Sequence, residues 1–278
     1  MQFARYLVRH NRIGLVGGVV MVVFIIMALL PNVFAPHDPF EMFAERRLLG
    51  PTGGFPLGND RFGRDIASRI IYGTRASFQV GIVAVGLAVV IGTFLGLVAG
   101  YRRGVLDYLI MRVLDVLFAF PSTLLAISIV AVLGAGIPSI VLAIGIVFTP
   151  TFGRVARAPV LSVKEREFVT AALSIGASTP RILLRHILPN VLTPIMVQAT
   201  LSLSGAIIVE AALSFLGLGA QPPMPSLGSM LSEGRPFMEV APWVVLYPGL
   251  ALALIVLGAN LFGDAVRDML DPRLRTEI

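Results

Sequence analysis

Six long runs of apolar residues restrict the folds open to this chain more than any other feature of its sequence. An α-helix needs about 20 apolar residues to cross the hydrocarbon layer of a bilayer, whereas strands of a membrane barrel are shorter and alternate. The runs therefore predict an all-α membrane protein with six transmembrane helices in a single domain, residues 1–278. The predicted helices cover residues 13–34, 77–100, 109–133, 139–158, 193–218 and 242–265.

The amino-acid composition agrees with a protein that is solvated mainly by lipid. Hydrophobic residues make up 56% of the 278 residues, and charged residues make up only 14%. So few polar side chains cannot cover the whole surface of a water-soluble domain. The chain contains no cysteine, so disulfide bonds and thiol chemistry are excluded.

The residues needed for several kinds of chemistry are missing from the sequence. The only lysine, Lys164, does not follow a glycine, so the chain has no phosphate-binding loop for ATP. Its three histidines, His10, His37 and His186, lie far apart along the chain, which disfavours a metal site. The nucleophile pattern G-x-S-x-G does not occur. We predict no catalytic residue, no metal and no cofactor in this chain.

The distribution of basic residues predicts the orientation in the membrane. With the amino terminus inside the cell, six helices also place the carboxyl terminus inside, and 15 of the 22 Lys and Arg residues fall in cytoplasmic segments. Positive charge concentrates in the cytoplasmic loops of membrane proteins, so the basic character predicts topology and not nucleic-acid binding. Residues 36–75 and 220–241 are then extracellular, and residues 164–190 are cytoplasmic.

Two spacing patterns refine this outline. From Asn59, apolar residues recur every four positions, which favours a short helix with Asn59 or Asp60 as its cap. This helix would either lie in the outer membrane interface or pack on the outer end of the bundle. Gly92, Gly96 and Gly100, spaced four residues apart, would let another helix approach the second helix closely.

The fifth apolar run is unusually polar, and its polar residues are candidates for a translocation path. Gln198, Ser202 and Glu210 lie within it. An ionisable group inside a membrane helix is costly and suggests a function, although the favoured role for Glu210 is structural, to hold helices together near their outer end. Pro121 and Pro150 predict kinks in the third and fourth helices.

Residues 164–190 are a charged, helix-forming segment between two apolar runs. Connections between helices in bundles are usually short, so the length of this segment predicts a docking surface, with an ordinary helical hairpin as the alternative. Phe168, Leu173 and Ile175 would place apolar surface on a short helix. Gly176 would form the turn to a second short helix.

Within this segment the spacing A-A-x3-G-x11-L-P is formed by Ala171, Ala172, Gly176, Leu188 and Pro189. It resembles the EAA loop through which permease subunits of bacterial ABC importers engage their ATPase subunits. Thr170 stands where that motif has a glutamate. The resemblance implies that these residues couple the chain to an ATPase: Phe168, Thr170, Ala171, Ala172, Leu173, Gly176, Leu188 and Pro189.

Longer motifs extend the resemblance over nearly the whole chain. They are LGNDRFGRDIASRIIYG (57–73), GYRRGVLDYLIMRVLDVLFAFPS (100–122), RHILPNVLTP (185–194), VEAALSFLGLGAQPPMPSLGSML (209–231) and LFGDAVRDMLDPRLR (261–275). These motifs are similar to those of the C-type permease of dipeptide and oligopeptide ABC importers. That family also includes permeases for nickel, glutathione, opines and some oligosaccharides.

The resemblance implies the type I ABC importer permease fold and a place in the bacterial inner membrane. The expected partners are a homologous B-type permease subunit, two ABC ATPase subunits that bind ATP and Mg²⁺, and an extracellular solute-binding protein. The expected function is the permease part of ATP-driven, binding-protein-dependent import, with peptides as the solute. An ion-coupled secondary transporter or channel that uses Glu210 is the alternative, and a structural scaffold is a third hypothesis.

Overall fold

The computed structural model describes residues 12–270, and most of these residues are helical. Between Ile182 and Ile187, one long helix winds as a π-helix. Short 3-10 turns occur at Ala44–Arg46 and Arg235–Phe237. The helices are α1 (Arg12–Leu29), α2 (Pro31–Phe34), α3 (Ile66–Arg102), α4 (Gly104–Ala119), α5 (Ser122–Leu133), α6 (Ile137–Val163), α7 (Glu167–Ser174), α8 (Thr179–Phe215), α9 (Leu227–Gly234) and α10 (Trp243–Leu270).

Five of the described helices, α1, α3, α6, α8 and α10, are long and apolar enough to cross a membrane. The bent pair α4 and α5 makes a sixth span if the two helices are counted together. The prediction of an all-α membrane protein is therefore confirmed. The exact limits of the spans in the bilayer stay predictions, as do the sides of the membrane on which the loops lie. Both chain termini lie outside the described residues.

Helix α3 is longer than the predicted span, and the prediction of a separate short helix from Asn59 was wrong. The helix begins at Ile66 because the side chain of Asp65 caps it, accepting the backbone N–H of Ser68 at 3.0 Å. From there it continues without a break to Arg102. A cap five residues beyond Asp60 and the absence of proline from Ile66 to Arg102 allow the two predicted helices to merge.

The predicted kink at Pro121 is a complete break in the helix. Helices α4 and α5 meet at 95°, and Phe120 between them has an extended backbone with ψ of 141°. The ring of a proline disfavours the helical conformation of the residue before it. In contrast, α6 continues through Pro150, so that proline does not interrupt its helix.

The glycines of α3 allow its close packing against α6, the most extensive helix contact among the described residues. A Cβ atom on Gly96 would lie 2.4 Å from the carbonyl oxygen of Gly153, and one on Gly92 would lie 2.6 Å from that of Thr149. These distances leave no room for a side chain. The predicted close approach is confirmed, and the neighbouring helix belongs to this chain.

Helix α3 also joins two apolar cores. One core contains buried side chains of α3, α5, α6 and α8, and it extends to Val169 of α7. The other contains buried side chains of α1, α3, α8, α9 and α10. Because both α3 and α8 contribute to the two cores, these helices join the two halves of the described bundle.

A cluster of buried charges holds residues 59–69 against α9. Arg64 lies 2.6 Å from Asp60 and 2.7 Å from Glu233, and Arg69, only 2% exposed, lies within 3.6 Å of both carboxylates. Of the two predicted positions for this segment, packing on the end of the bundle is the one observed. Both arginines are buried, and both reach Glu233 of α9, which is distant in sequence.

Candidate coupling loop and buried polar cluster

The loop between α6 and α8 starts from an anchored lysine. The Nζ atom of Lys164, the residue after the end of α6, donates to the backbone oxygen of Tyr101 at 3.2 Å. Burial and then the nearby charge of Arg103 lower the pKa of the Lys164 ammonium group. This contact ties the start of the loop to the end of α3.

Gly176 forms the sharp turn that the sequence predicts after α7. Its φ is +79°, a conformation that is open to glycine and resisted by most other residues. The N–H of Gly176 donates to the carbonyl of Leu173 at 2.9 Å, and the N–H of Ala177 donates to that of Ala172 at 3.0 Å. This pair of bonds is a Schellman motif, which ends a helix at a left-handed residue.

Helix α7 has one buried face and one exposed apolar surface. Val169 is fully buried and Ala172 is 6% exposed, so this face packs on the protein itself. Phe168, Leu173 and Ile175 are 39%, 50% and 86% exposed. An apolar surface that is held out by a packed face is suited to contact with another protein.

The other residues predicted for coupling are divided between the loop and the start of α8. Thr170 and Ala171 are exposed beside the apolar side chains of α7. Leu188 packs against the first core, and Pro189 is exposed. The structure thus brings Phe168, Thr170, Ala171 and Leu173 together and leaves Leu188 as a residue that supports α8. No finding tests their coupling role, which stays a prediction.

Proline explains the π-helical segment that joins the loop to α8. Pro189 has no N–H, and its ring clashes with the carbonyl four residues earlier in a regular α-helix. The N–H of Leu188 donates to the carbonyl oxygen of Leu183, five residues back and not four. The side chain of Asn190 donates to the carbonyl oxygen of His186 at 2.7 Å. These bonds satisfy backbone groups that the irregular turn would otherwise leave open.

A basic cleft lies beside the turn at Gly176. Its volume is ≈ 350 Å³, and it is lined by Ala172, Ile175, Gly176, Ala177, Arg181, Arg185 and His186. The cleft therefore combines exposed apolar surface from the end of α7 with positive charge from the start of α8. Such a mixture is typical of the polar edge around the apolar centre of a protein interface.

The candidate path residues of α8 do not form one site. The side chain of Gln198 donates to the hydroxyl of Ser202 at 3.2 Å, one turn further along the same helix. Glu210 follows Ser202 by eight residues, about 12 Å along an α-helix. Their role in a path is untested and stays a prediction.

Glu210 is a buried link between two helices. It is 2% exposed, and its two oxygens accept hydrogen bonds at 2.7 Å from the hydroxyls of Ser77 on α3 and Ser214 on α8. A carboxyl group with both oxygens occupied in this way holds α3 against α8. These contacts favour the structural role that the sequence left open.

Sequence reasoning missed two ion pairs that attach α4 to α6. Asp107 accepts two hydrogen bonds of 2.6 Å from Arg157. Asp115 accepts one of 2.6 Å from Arg154. Opposite charges near the same ends of two consecutive membrane helices were the available signal. The pairing itself required the tertiary approach of the helices.

Comparison with known proteins identifies the family. Residues 92–276 match the model of the family described as binding-protein-dependent transport system inner membrane component. Residues 2–51 match the N-terminal transmembrane domain of oligopeptide transport permease C. The chain belongs to the family of binding-protein-dependent ABC importer permeases. This family consists of non-catalytic components of the inner membrane. Together with its several apolar helices, this makes the permease a multi-span protein of the bacterial inner membrane.

Relatives of the permease match it over almost its whole length. The dipeptide transport system permease protein DppC of Alkalihalophilus pseudofirmus is 48% identical, covering 96% of this chain and 88% of the relative. DppC of Haemophilus influenzae is 44% identical, covering 96% and 92%. The glutathione transport system permease protein GsiD of Pectobacterium atrosepticum is 45% identical, covering 98% and 90%. The resemblance to the C-type permeases is therefore confirmed.

A solved structure confirms the fold of the permease. A chain of the MetNI methionine ABC transporter, in an inward-facing conformation, superposes with a TM-score of 0.59 at 16% sequence identity. The match covers 73% of the permease and 96% of that chain. The predicted type I ABC importer permease fold is confirmed, and the family favours the ABC importer over the ion-coupled transporter that the sequence left as an alternative.

Proposed function

We propose that the permease forms one half of the translocation path of an ATP-driven peptide importer and that α7 and its turn are the contact for an ATPase subunit. In this assembly the ATPase subunits bind ATP and Mg²⁺ and carry out hydrolysis. A homologous B-type permease subunit supplies the other half of the path. An extracellular solute-binding protein delivers the solute.

The exposed apolar surface of α7 is the observation that carries the coupling proposal. Val169 and Ala172 pack on the protein, so α7 cannot turn to bury Phe168, Leu173 or Ile175 without losing its own core contacts. The Schellman turn at Gly176 keeps Ile175 at the tip of this surface. A rigid apolar projection transmits a push from a docked subunit to α8, which begins only three residues after Gly176.

Peptides are the proposed solute class, and the relatives support this choice. Dipeptide permeases and a permease for glutathione, itself a small peptide, match the chain at 44–48% identity. Gln198 and Ser202 are polar groups inside a membrane helix, which would suit the amide groups of a peptide. Selectivity among peptides would be set largely by the solute-binding protein.

Substitution of Ile175 tests the coupling surface. Because Ile175 is 86% exposed, Ile175→Asp should not affect the fold of the permease. An ionised group placed in an apolar interface costs about 2–5 kcal/mol, which reduces association tens- to thousands-fold. We expect the ATPase to be lost from the purified complex, and solute-stimulated ATP hydrolysis and uptake to fall.

The matched control is Ile175→Leu, which keeps an apolar side chain at the same position and should retain the ATPase. Membrane levels of both variants, measured by immunoblot, should equal that of the unmodified chain. Full ATPase retention and uptake by Ile175→Asp would show that this surface is not the coupling site.

A further inference from the structure

A second cleft opens at the opposite side of the loop, where α3 ends. Its volume is ≈ 450 Å³, and it lies between the end of α3, the start of α4 and the start of α8. It is lined by Val98, Arg102, Arg103, Leu106, Thr179 and Leu183. The lining thus combines two guanidinium groups and a hydroxyl with three apolar side chains.

The apolar wall of this cleft continues along α3 toward the membrane interior. Val90, Phe94, Val98 and Arg102 follow one another at intervals of four residues, which places them on one face of the helix. Val90 is 69% exposed and Phe94 is 64% exposed. A continuous apolar stripe therefore ends in an arginine at the mouth of the cleft.

The positive charge at the mouth is largely unneutralised. Within residues 12–270, Arg102 has no ion pair or hydrogen bond through its side chain. Arg103 lies 3.4 Å from Glu165, but both side chains are more than half exposed, and such surface pairs are weak. Asp107, another nearby carboxylate, has both of its oxygens engaged by Arg157. The cleft therefore presents net positive charge to a ligand.

The backbone at Arg103 does not itself require an arginine. Its φ is 53° and its ψ is −170°, a region that non-glycine residues rarely occupy. Glycine would form the same turn with less strain. The arginine side chain at this position therefore contributes charge to the cleft and not turn geometry.

We propose that this cleft binds an anionic phospholipid, with the lipid phosphate between Arg102 and Arg103 and an acyl chain along Val98, Phe94 and Val90. Arginine binds phosphate oxygens through paired N–H groups, and basic pockets between transmembrane helices on the cytoplasmic side bind anionic lipid headgroups. The apolar stripe below the arginines selects a lipid over a free phosphate. It also selects a lipid over an acidic soluble protein, which cannot follow the stripe into the bilayer.

The position of the cleft lets a bound lipid bridge the end of α3 and the start of α8. Thr179 is the first residue of α8, and it lines the cleft together with the arginines at the end of α3. A lipid held there contacts both helices immediately beside the coupling loop. This inference goes beyond the proposed function, because lipid binding needs no ATPase and no solute.

Lipid titration of the purified complex, followed by native mass spectrometry, tests the proposal. The titrants are phosphatidylglycerol and phosphatidylcholine with the same acyl chains, and the variant is the double substitution Arg102→Gln, Arg103→Gln. Each arginine near an anionic lipid contributes ~1 kcal/mol, so the double variant should bind phosphatidylglycerol roughly 30-fold more weakly. Binding of phosphatidylcholine should be weak and equal in both proteins.

Two further variants separate loss of the site from loss of the fold. Arg75→Gln removes an exposed arginine at the other end of α3 and should leave lipid binding unchanged. Arg103→Gly suits the local backbone, so it should retain the melting temperature of the complex while weakening phosphatidylglycerol binding about fivefold.

Three results would overturn the proposal. The first is equal phosphatidylglycerol binding by the double variant and the unmodified complex. The second is displacement of the lipid by millimolar inorganic phosphate, which would indicate a site for free anions. The third is lipid binding by the separate permease but not by the complex, which would show that a partner subunit covers the cleft.

Discussion

Gly176 shows how one residue determines the shape of the exposed loop. Its left-handed backbone ends α7 and holds Ile175 at the tip of the apolar surface. A Cβ atom on Gly176 would meet nothing within 4 Å. The constraint at this position is therefore the backbone conformation and not the available space.

Gly176→Val should impair coupling because a β-branched residue resists a positive φ, at a cost of about 1–3 kcal/mol. We expect lower ATPase retention and lower uptake, with normal insertion into the membrane. Gly176→Asn is the control, since asparagine tolerates this conformation, and it should keep most of the uptake. Equal uptake by the two variants would contradict a role for the turn geometry.

The buried carboxyl group of Glu210 is the second informative residue. Gln can accept a hydrogen bond from one serine and donate to the other, so Glu210→Gln should keep both contacts and support normal uptake. Glu210→Leu would leave the hydroxyls of Ser77 and Ser214 without this partner, which we expect to cost about 1–3 kcal/mol.

Thermal unfolding of the purified variants measures the stability difference, and solute uptake measures the function. Loss of uptake by Glu210→Gln in an intact complex would show that the charge of Glu210 carries the function. That result would restore the translocation role that its contacts with two serines disfavour.

At the scale of secondary-structure elements, the contact between α3 and α6 depends on glycine. The two backbones approach so closely at Gly96 that even one methyl group would meet the carbonyl oxygen of Gly153. Elsewhere on the same helix, Gly86 has no atom within 4 Å of the place where its Cβ would lie. The two positions therefore separate packing from the intrinsic helix propensity of glycine.

Gly96→Ala should destabilise the permease, since forcing extra volume into a packed contact costs about 1–3 kcal/mol. Gly86→Ala should leave stability unchanged or raise it by up to about 1 kcal/mol, the propensity difference between the two residues. The melting temperatures of the two variants in detergent check this. An equal loss of stability in both variants would mean that α3 and α6 are not close-packed at Gly96.

At the scale of the whole molecule, α3 runs from the segment of residues 59–69 to the loop of residues 164–190. Residues 59–69 pack at its start through Asp65 and the buried charge cluster, whereas Lys164 contacts Tyr101 near its end. A helix of 37 residues is about 55 Å long, which exceeds the thickness of a bilayer's hydrocarbon layer. We therefore expect the loop and the segment near residue 60 to lie on opposite sides of the membrane, as the charge distribution predicts.

Cysteine labelling tests this orientation, because the chain contains no cysteine of its own. Ser174 is exposed on α7, and Gly53 is exposed with no atom within 4 Å of the place where its Cβ would lie. The labelled variants are Ser174→Cys and Gly53→Cys. A membrane-impermeant maleimide applied to intact cells should label position 53 and should reach position 174 only after permeabilisation. Labelling of position 174 in intact cells would refute the proposed topology.

The sequence by itself determined the helical membrane fold, the family and the position of the exposed loop with its turn at Gly176. Each of these depends on local information, since apolar runs, a glycine at a turn and motif spacing can be read along the chain. Tertiary structure alone decided which charged and polar groups pair between helices. Asp115 pairs with Arg154 on α6 at 2.6 Å, although Arg112 lies only three residues away from it on α4. Glu210 likewise finds Ser77 133 residues away, because such partners are set by which helices pack together.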